Sequence, residues 1–181
     1  MKIAGALPLL LLIAGSVPST PAQAASAGPE IDAAVDKALT QMYQEVKGSQ
    51  ELAGKASGIL VFPEVYKAAV GIGGEYGKGA LRVGNKTVGY YSIASGSVGF
   101  QIGAEARNIV FMFMSPKALT DFQQSSGWQA GANAGVALVK QGSEGSIDTQ
   151  QLNAPVLAFV FGHSGLMADV SVEGSKISKL E

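Results

Sequence analysis

Ile109-Val110-Phe111-Met112-Phe113-Met114 is a run of six apolar residues with no polar side chain at alternate positions. Two more runs share the property, Ile59-Leu60-Val61-Phe62 and Val156-Leu157-Ala158-Phe159-Val160-Phe161. A strand with one face in water alternates apolar and polar residues, whereas a strand apolar throughout is covered on both sides. Each run is far shorter than the roughly 20 residues a membrane helix needs. All three are rich in β-branched and aromatic residues, which suit strands. The fold must therefore be a sheet with a cover on each face.

Working outward, the same composition recurs between glycine or proline breaks. Strands are expected at 58–62, 67–74, 79–84, 87–93, 97–104, 108–114, 129–140, 155–161 and 166–173, with a hairpin turn at Gly84-Asn85-Lys86. Before them, Ile31, Ala34, Val35, Ala38, Leu39, Met42, Tyr43 and Val46 recur at helical spacing. That spacing predicts a helix over 30–46, ended at Gly48, and a second short helix follows over 50–55. Ser115 and Pro116 suit the cap and first position of an inserted helix near 116–125, with Leu119 and Phe122 on one face. The expected fold is α+β. N-terminal helices pack on a large, strongly curved, mainly antiparallel β-sheet or closed barrel, with one inserted helix.

Residues 1–24 read as a secretory signal. Lys2 opens it, residues 7–14 form an apolar core, and Ala22-Gln23-Ala24 provides a small-x-small cleavage site. Residues 25–29 then form a flexible leader, and 30–181 a single domain. The expectation is export, with cleavage near Ala24, to a periplasm, cell envelope or the outside of the cell.

Composition removes several function classes. The 181 residues contain no cysteine and one histidine. Lipidation, thiolate metal sites and cysteine nucleophiles are thereby excluded. Lysine and arginine number 13 against 14 acids, for a net charge of −1, so no nucleic-acid partner is expected. His163 is adjacent to Ser164, but neighbours on a strand point to opposite faces and make a poor relay. The carboxylates form no calcium loop. No enzyme activity, cofactor or metal site is expected.

Glycine is the outlier, with 24 residues, nearly twice the ordinary share of roughly 7%. The run Gly71-Ile72-Gly73-Gly74-Glu75-Tyr76-Gly77-Lys78-Gly79 superficially looks like a phosphate loop. It fails because Ile72 stands where the first glycine belongs and Gly79 where serine or threonine belongs. A dinucleotide loop fails at Tyr76. Glycines two apart in a strand instead leave one face bare for close approach. The most basic stretch, 67–86, has Lys67, Lys78, Arg82 and Lys86 against Glu75, with Tyr66 and Tyr76 nearby. The helix over 30–46 is unsuited to anionic lipid, because Glu30, Asp32, Asp36 and Glu45 outnumber Lys37 and Lys47.

Residues 56–63 and 71–81, Tyr90-Tyr91-Ser92, Gly99-Phe100-Gln101-Ile102-Gly103 and the closing segment 165–175 together make the chain similar to the SYLF domain family, over about 50–178. Many family members carry Ser-Lys-Gly where this chain has His163-Ser164-Gly165. The resemblance implies no catalysis and no cofactor. It implies an exported, non-enzymatic protein whose partner is phospholipid or an envelope membrane. Lys67, Lys78, Arg82 and Lys86 would meet phosphates, with Tyr66 and Tyr76 at the interface. Two other readings are a periplasmic structural or protein-binding scaffold and a small outer-membrane β-barrel.

Overall fold

A computed structural model describes residues 22–70, 72–97, 105–133, 135–140, 147, 152–162, 165–167 and 171–181. Helix α1 (Ala22–Glu45) and helix α2 (Ser49–Lys55) come first, joined through Gly48 at φ 87°. Strands β1 (Gly58–Val70), β2 (Ile72–Val83), β3 (Lys86–Ser97) and β4 (Glu105–Phe113) follow. Helix α3 (Pro116–Gln124) precedes β5 (Trp128–Gln129), β6 (Val136–Leu138), β7 (Val156–Gly162), β8 (Gly165–Leu166) and β9 (Lys176–Lys179). The sheet order is β5-β9-β3-β2-β1-β4-β7-β6, with β8 beside the end of β7. Every ladder is antiparallel except β6 with β7.

The apolar runs lie side by side as β1, β4 and β7, and the pleat divides each between two cores. Leu60, Phe62, Ile109, Phe111, Phe113, Val156, Ala158 and Val160 enter one core. Val61, Val110, Met112, Leu157, Phe159 and Phe161 enter the other. Val35, Ala38, Met42 and Val46 of the N-terminal helical segment cover the second face. Leu119 and Phe122 of α3 cover the first, together with Trp128. Ser115 caps α3 by accepting a hydrogen bond from the Ala118 amide at 3.2 Å.

The sheet curls. Strands β4 and β5 are five ladder spacings apart in the strand order. A flat sheet would hold them about 24 Å apart. Yet the rings of Phe111 and Trp128 meet at 5.7 Å, close to edge-on. Among the described residues β5 and β6 remain the two ends, so the architecture is a half-barrel and not a closed barrel. Its outer face carries α1, where a membrane barrel would present a lipid-facing surface.

Several boundaries differ from the sequence reading. α1 begins at Ala22, earlier than its apolar period, and includes the stretch read as a leader. The break expected at 63–66 is absent. β1 passes through Pro63 by a bulge, with register shifts against both neighbours. A bulge tolerates proline because the ladder is already interrupted there. The strand expected at 67–74 is two arms of a hairpin, with Val70 opposite Ile72. The strand expected at 129–140 is reduced to β5 and β6, because the chain turns at Gly131 with φ 84°. Of the strand expected at 166–173, Leu166 pairs with β7 in β8 and the Met167 amide donates to the Val160 carbonyl at 2.8 Å. β9, unforeseen, pairs with β3 through a polar stretch whose Ile177 alone is buried deeply. Residues 98–104 of one expected strand, and His163 and Ser164, lie outside the described residues, as do residues 1–21 of the segment expected to be a secretory signal.

Eight of the nine positions in the glycine run, 72–79, fall within β2. At Gly79 a Cβ would clash with the carbonyl oxygen of Val61 and press on the Phe62 ring. The bulge in β1 therefore needs a bare position opposite. Gly79→Ala is expected to lower stability by about 1–3 kcal/mol. Gly96→Ala, where a Cβ meets nothing within 4 Å, should change it by less than about 0.5 kcal/mol. Urea midpoints measure both, and equal midpoints would contradict the close-approach account.

Candidate functional site

The outer face owes its shape to one carboxylate. Asp32 and Asp36, one helical turn apart, face the β2–β3 hairpin. Asp32 accepts hydrogen bonds from Thr87 Oγ1 at 2.7 Å and Tyr90 Oη at 3.0 Å. Arg82 Nη2 reaches Asp36 at 2.8 Å and Asp32 at 3.5 Å. Burial, then the hydrogen bond and charge of Asp32, raises the Tyr90 phenol above its ordinary value of 10.0. This clasp holds the middle turns of α1 against the sheet.

A groove of about 300 Å³ opens between those turns and the β1–β2 ladder. Glu30, Ile31 and Ala34 form one wall, and Pro63, Glu64, Tyr66, Tyr76, Gly77 and Lys78 the other. Tyr66 and Tyr76 are direct cross-strand partners. They are 54% and 50% exposed, unusual for large side chains in this protein. Lys78 lies two residues beyond Tyr76 on the same face and is exposed.

The bulge aims the second acid. Glu64 has φ 53°, the only positive value outside glycine among the described residues. Its amide donates to Asn108 Oδ1 at 3.2 Å. Asn108 in turn donates to Gln41 Oε1 at 3.4 Å, and Gln41 donates to the Gly162 carbonyl at 3.1 Å. A polar chain thus ties the bulge to α1 and β7. The Glu64 carboxylate accepts from Tyr66 Oη at 3.2 Å. That bond and the carboxylate charge hold the Tyr66 phenol above its ordinary range. A smaller cavity, about 130 Å³, continues past Ala34, Pro63 and Glu64 toward Lys37 and Gln41.

Three of the six residues singled out in the sequence therefore meet at the groove: Tyr66, Tyr76 and Lys78. The other three do not. Arg82 is occupied by Asp32 and Asp36. Lys86 sits exposed at the end of the β2–β3 hairpin, next to Gly84 at φ 58°. Lys67 follows the inward-facing Val65 by two residues and stands opposite Glu75. There Arg107 forms an ion pair with Glu75, which also accepts from Ser95 Oγ at 3.2 Å. The groove residues missed in the sequence are Glu30, Ile31 and Glu64. Pro63-Glu64 interrupting an apolar strand was the available signal for the last.

Among the described residues no group of three metal-ligating side chains occurs, and no helix is long and apolar enough to cross a membrane. A family model described as Ysc84, Las17-binding protein actin regulator, matches residues 94–181. The match begins within β3, so the groove lies N-terminal to it. No curated protein matches the chain.

The clasp makes an asymmetric prediction. Asp32→Ala strands two hydroxyls and should cost about 1–3 kcal/mol. Asp36→Ala removes a carboxylate whose side chain is 66% exposed, and should cost at most about 1 kcal/mol. Equal losses on urea denaturation would contradict the assigned roles. Because the Tyr90 phenol is raised in the folded state, the unfolded chain ionises first. Its contribution to stability is complete below the ordinary value of 10.0 and should be lost as pH climbs through the raised one. Melting temperatures across that alkaline range, with Tyr90→Phe as the comparison, check the sign.

Proposed function

Residues 94–181 belong to the SYLF, or Ysc84, domain family, and from that premise we propose that this chain is a non-enzymatic, lipid-associating protein of the cell envelope. It is exported by the N-terminal signal and cleaved near Ala24. The observation that carries the reading is the exposed Tyr66–Tyr76 pair beside Lys78 on the outer face. Tyrosine suits a membrane interface because its ring is apolar and its hydroxyl remains hydrated. Lysine beside it reaches toward a phosphate while its stem lies along apolar surface. Arg82 and Lys67 have structural work in this reading, and Lys86 is peripheral.

A second reading, a protein-binding scaffold, draws support from the description of the matched family, which names a protein ligand. Crosslinking with recovery of a defined partner would favour it over lipid.

The lipid reading is tested by flotation of the full protein with vesicles of mixed phosphatidylethanolamine and phosphatidylglycerol. The protein should float. Tyr66→Ala combined with Tyr76→Ala should weaken binding about tenfold, equivalent to about 1.4 kcal/mol. Lys86→Glu should change it by less than about twofold, since a peripheral charge contributes little. No flotation at low salt, or unchanged flotation of the double tyrosine variant, would overturn the reading.

A further inference from the structure

The charges around the groove are the reverse of those an anionic headgroup would select. Two carboxylates, Glu30 and Glu64, face one ammonium, Lys78. Arg82, the arginine nearest in sequence, is held by two acids of its own. Between the carboxylates and Lys78 stand two half-exposed phenol rings, and the apolar surface beneath is Ile31, Ala34 and Pro63. Ring faces and carboxylates together are the surroundings that hold an alkylammonium group, including a quaternary one. A lone lysine serves a single phosphate.

We propose that this groove binds the headgroup of a zwitterionic phospholipid, with its ammonium among Tyr66, Tyr76, Glu64 and Glu30 and its phosphate at Lys78. The volume of about 300 Å³ is at the lower end of ordinary ligand sites and suits a headgroup better than a whole lipid. The acyl chains then remain in the bilayer. The assignment rests on the lipid reading above and specifies which lipid class the protein prefers. Glu64 gains a role from its backbone. Its positive φ, secured by Asn108, keeps its carboxylate beside the Tyr66 hydroxyl. Strain of this sort is retained where surrounding structure enforces it, often at binding sites.

The test compares vesicles of phosphatidylethanolamine with phosphatidylcholine against vesicles of phosphatidylglycerol alone, using the full protein. The protein should prefer the zwitterionic vesicles. Glu30→Gln combined with Glu64→Gln should weaken that binding about tenfold, the loss of one well-formed ammonium contact. Simple charge attraction gives the opposite sign, because removing two acids would strengthen binding to phosphatidylglycerol. Preference for phosphatidylglycerol, or zwitterionic binding unchanged in the double variant, would overturn the assignment and leave the lipid reading standing. Binding to neither vesicle would overturn both. If circular dichroism shows the double variant unfolded, the vesicle preference of the unaltered protein still decides.

Discussion

Three neighbouring strands that are apolar on both faces impose the rest of this structure. β1, β4 and β7 cannot leave either side in water, so the chain must supply two covers. One is the curl itself, which brings Trp128 and α3 over the inner face until Trp128 meets Phe111, Phe113 and Phe122. The other is α1, whose apolar stripe closes the outer face. A cover held only by non-directional burial would be free to slide. The clasp of Asp32 with Thr87, Tyr90 and Arg82 fixes its position near the middle of the helix. Gln41 fixes it toward the C-terminal end.

The groove follows from that arrangement. α1 covers the centre of the outer face but leaves the far ends of β1 and β2 open, where Tyr66 and Tyr76 emerge. The bulge at Pro63-Glu64 turns β1 as it leaves the cover and places an acid at the edge. Gly79 permits the bulge from across the ladder, since the Val61 carbonyl occupies the space of its missing Cβ. The glycines of that run thus contribute by allowing close approach across the ladder.

Much of this was legible in the residues. Two-sided strands, the amphipathic helix and the Ser115-Pro116 helix start are local signals, and each appears where its pattern falls. The bulge was misread as a gap because proline ordinarily ends a strand, and only the partner strands reveal that pairing resumes. β9 was missed because Lys-Ile-Ser-Lys holds one apolar residue, and its pairing with β3 depends on contacts more than eighty residues away. The basic stretch 67–86 looked like one surface. Strand alternation sends Lys67 inward, and the acids of α1, distant in sequence, occupy Arg82. A tyrosine pair in register survives that sorting because Tyr66 and Tyr76 flank a single hairpin.

On this account the molecule has a two-sided core with the tyrosine-lined groove at its edge, and lipid engages that groove. Amide hydrogen exchange with and without phosphatidylethanolamine-containing vesicles tests this most directly. Exchange should slow at residues 64–66 and 76–78 and stay unchanged in β4 and β7, whose amides open only with global unfolding. Unchanged exchange at the groove, with protection appearing instead at the hairpin around Lys86, would contradict it.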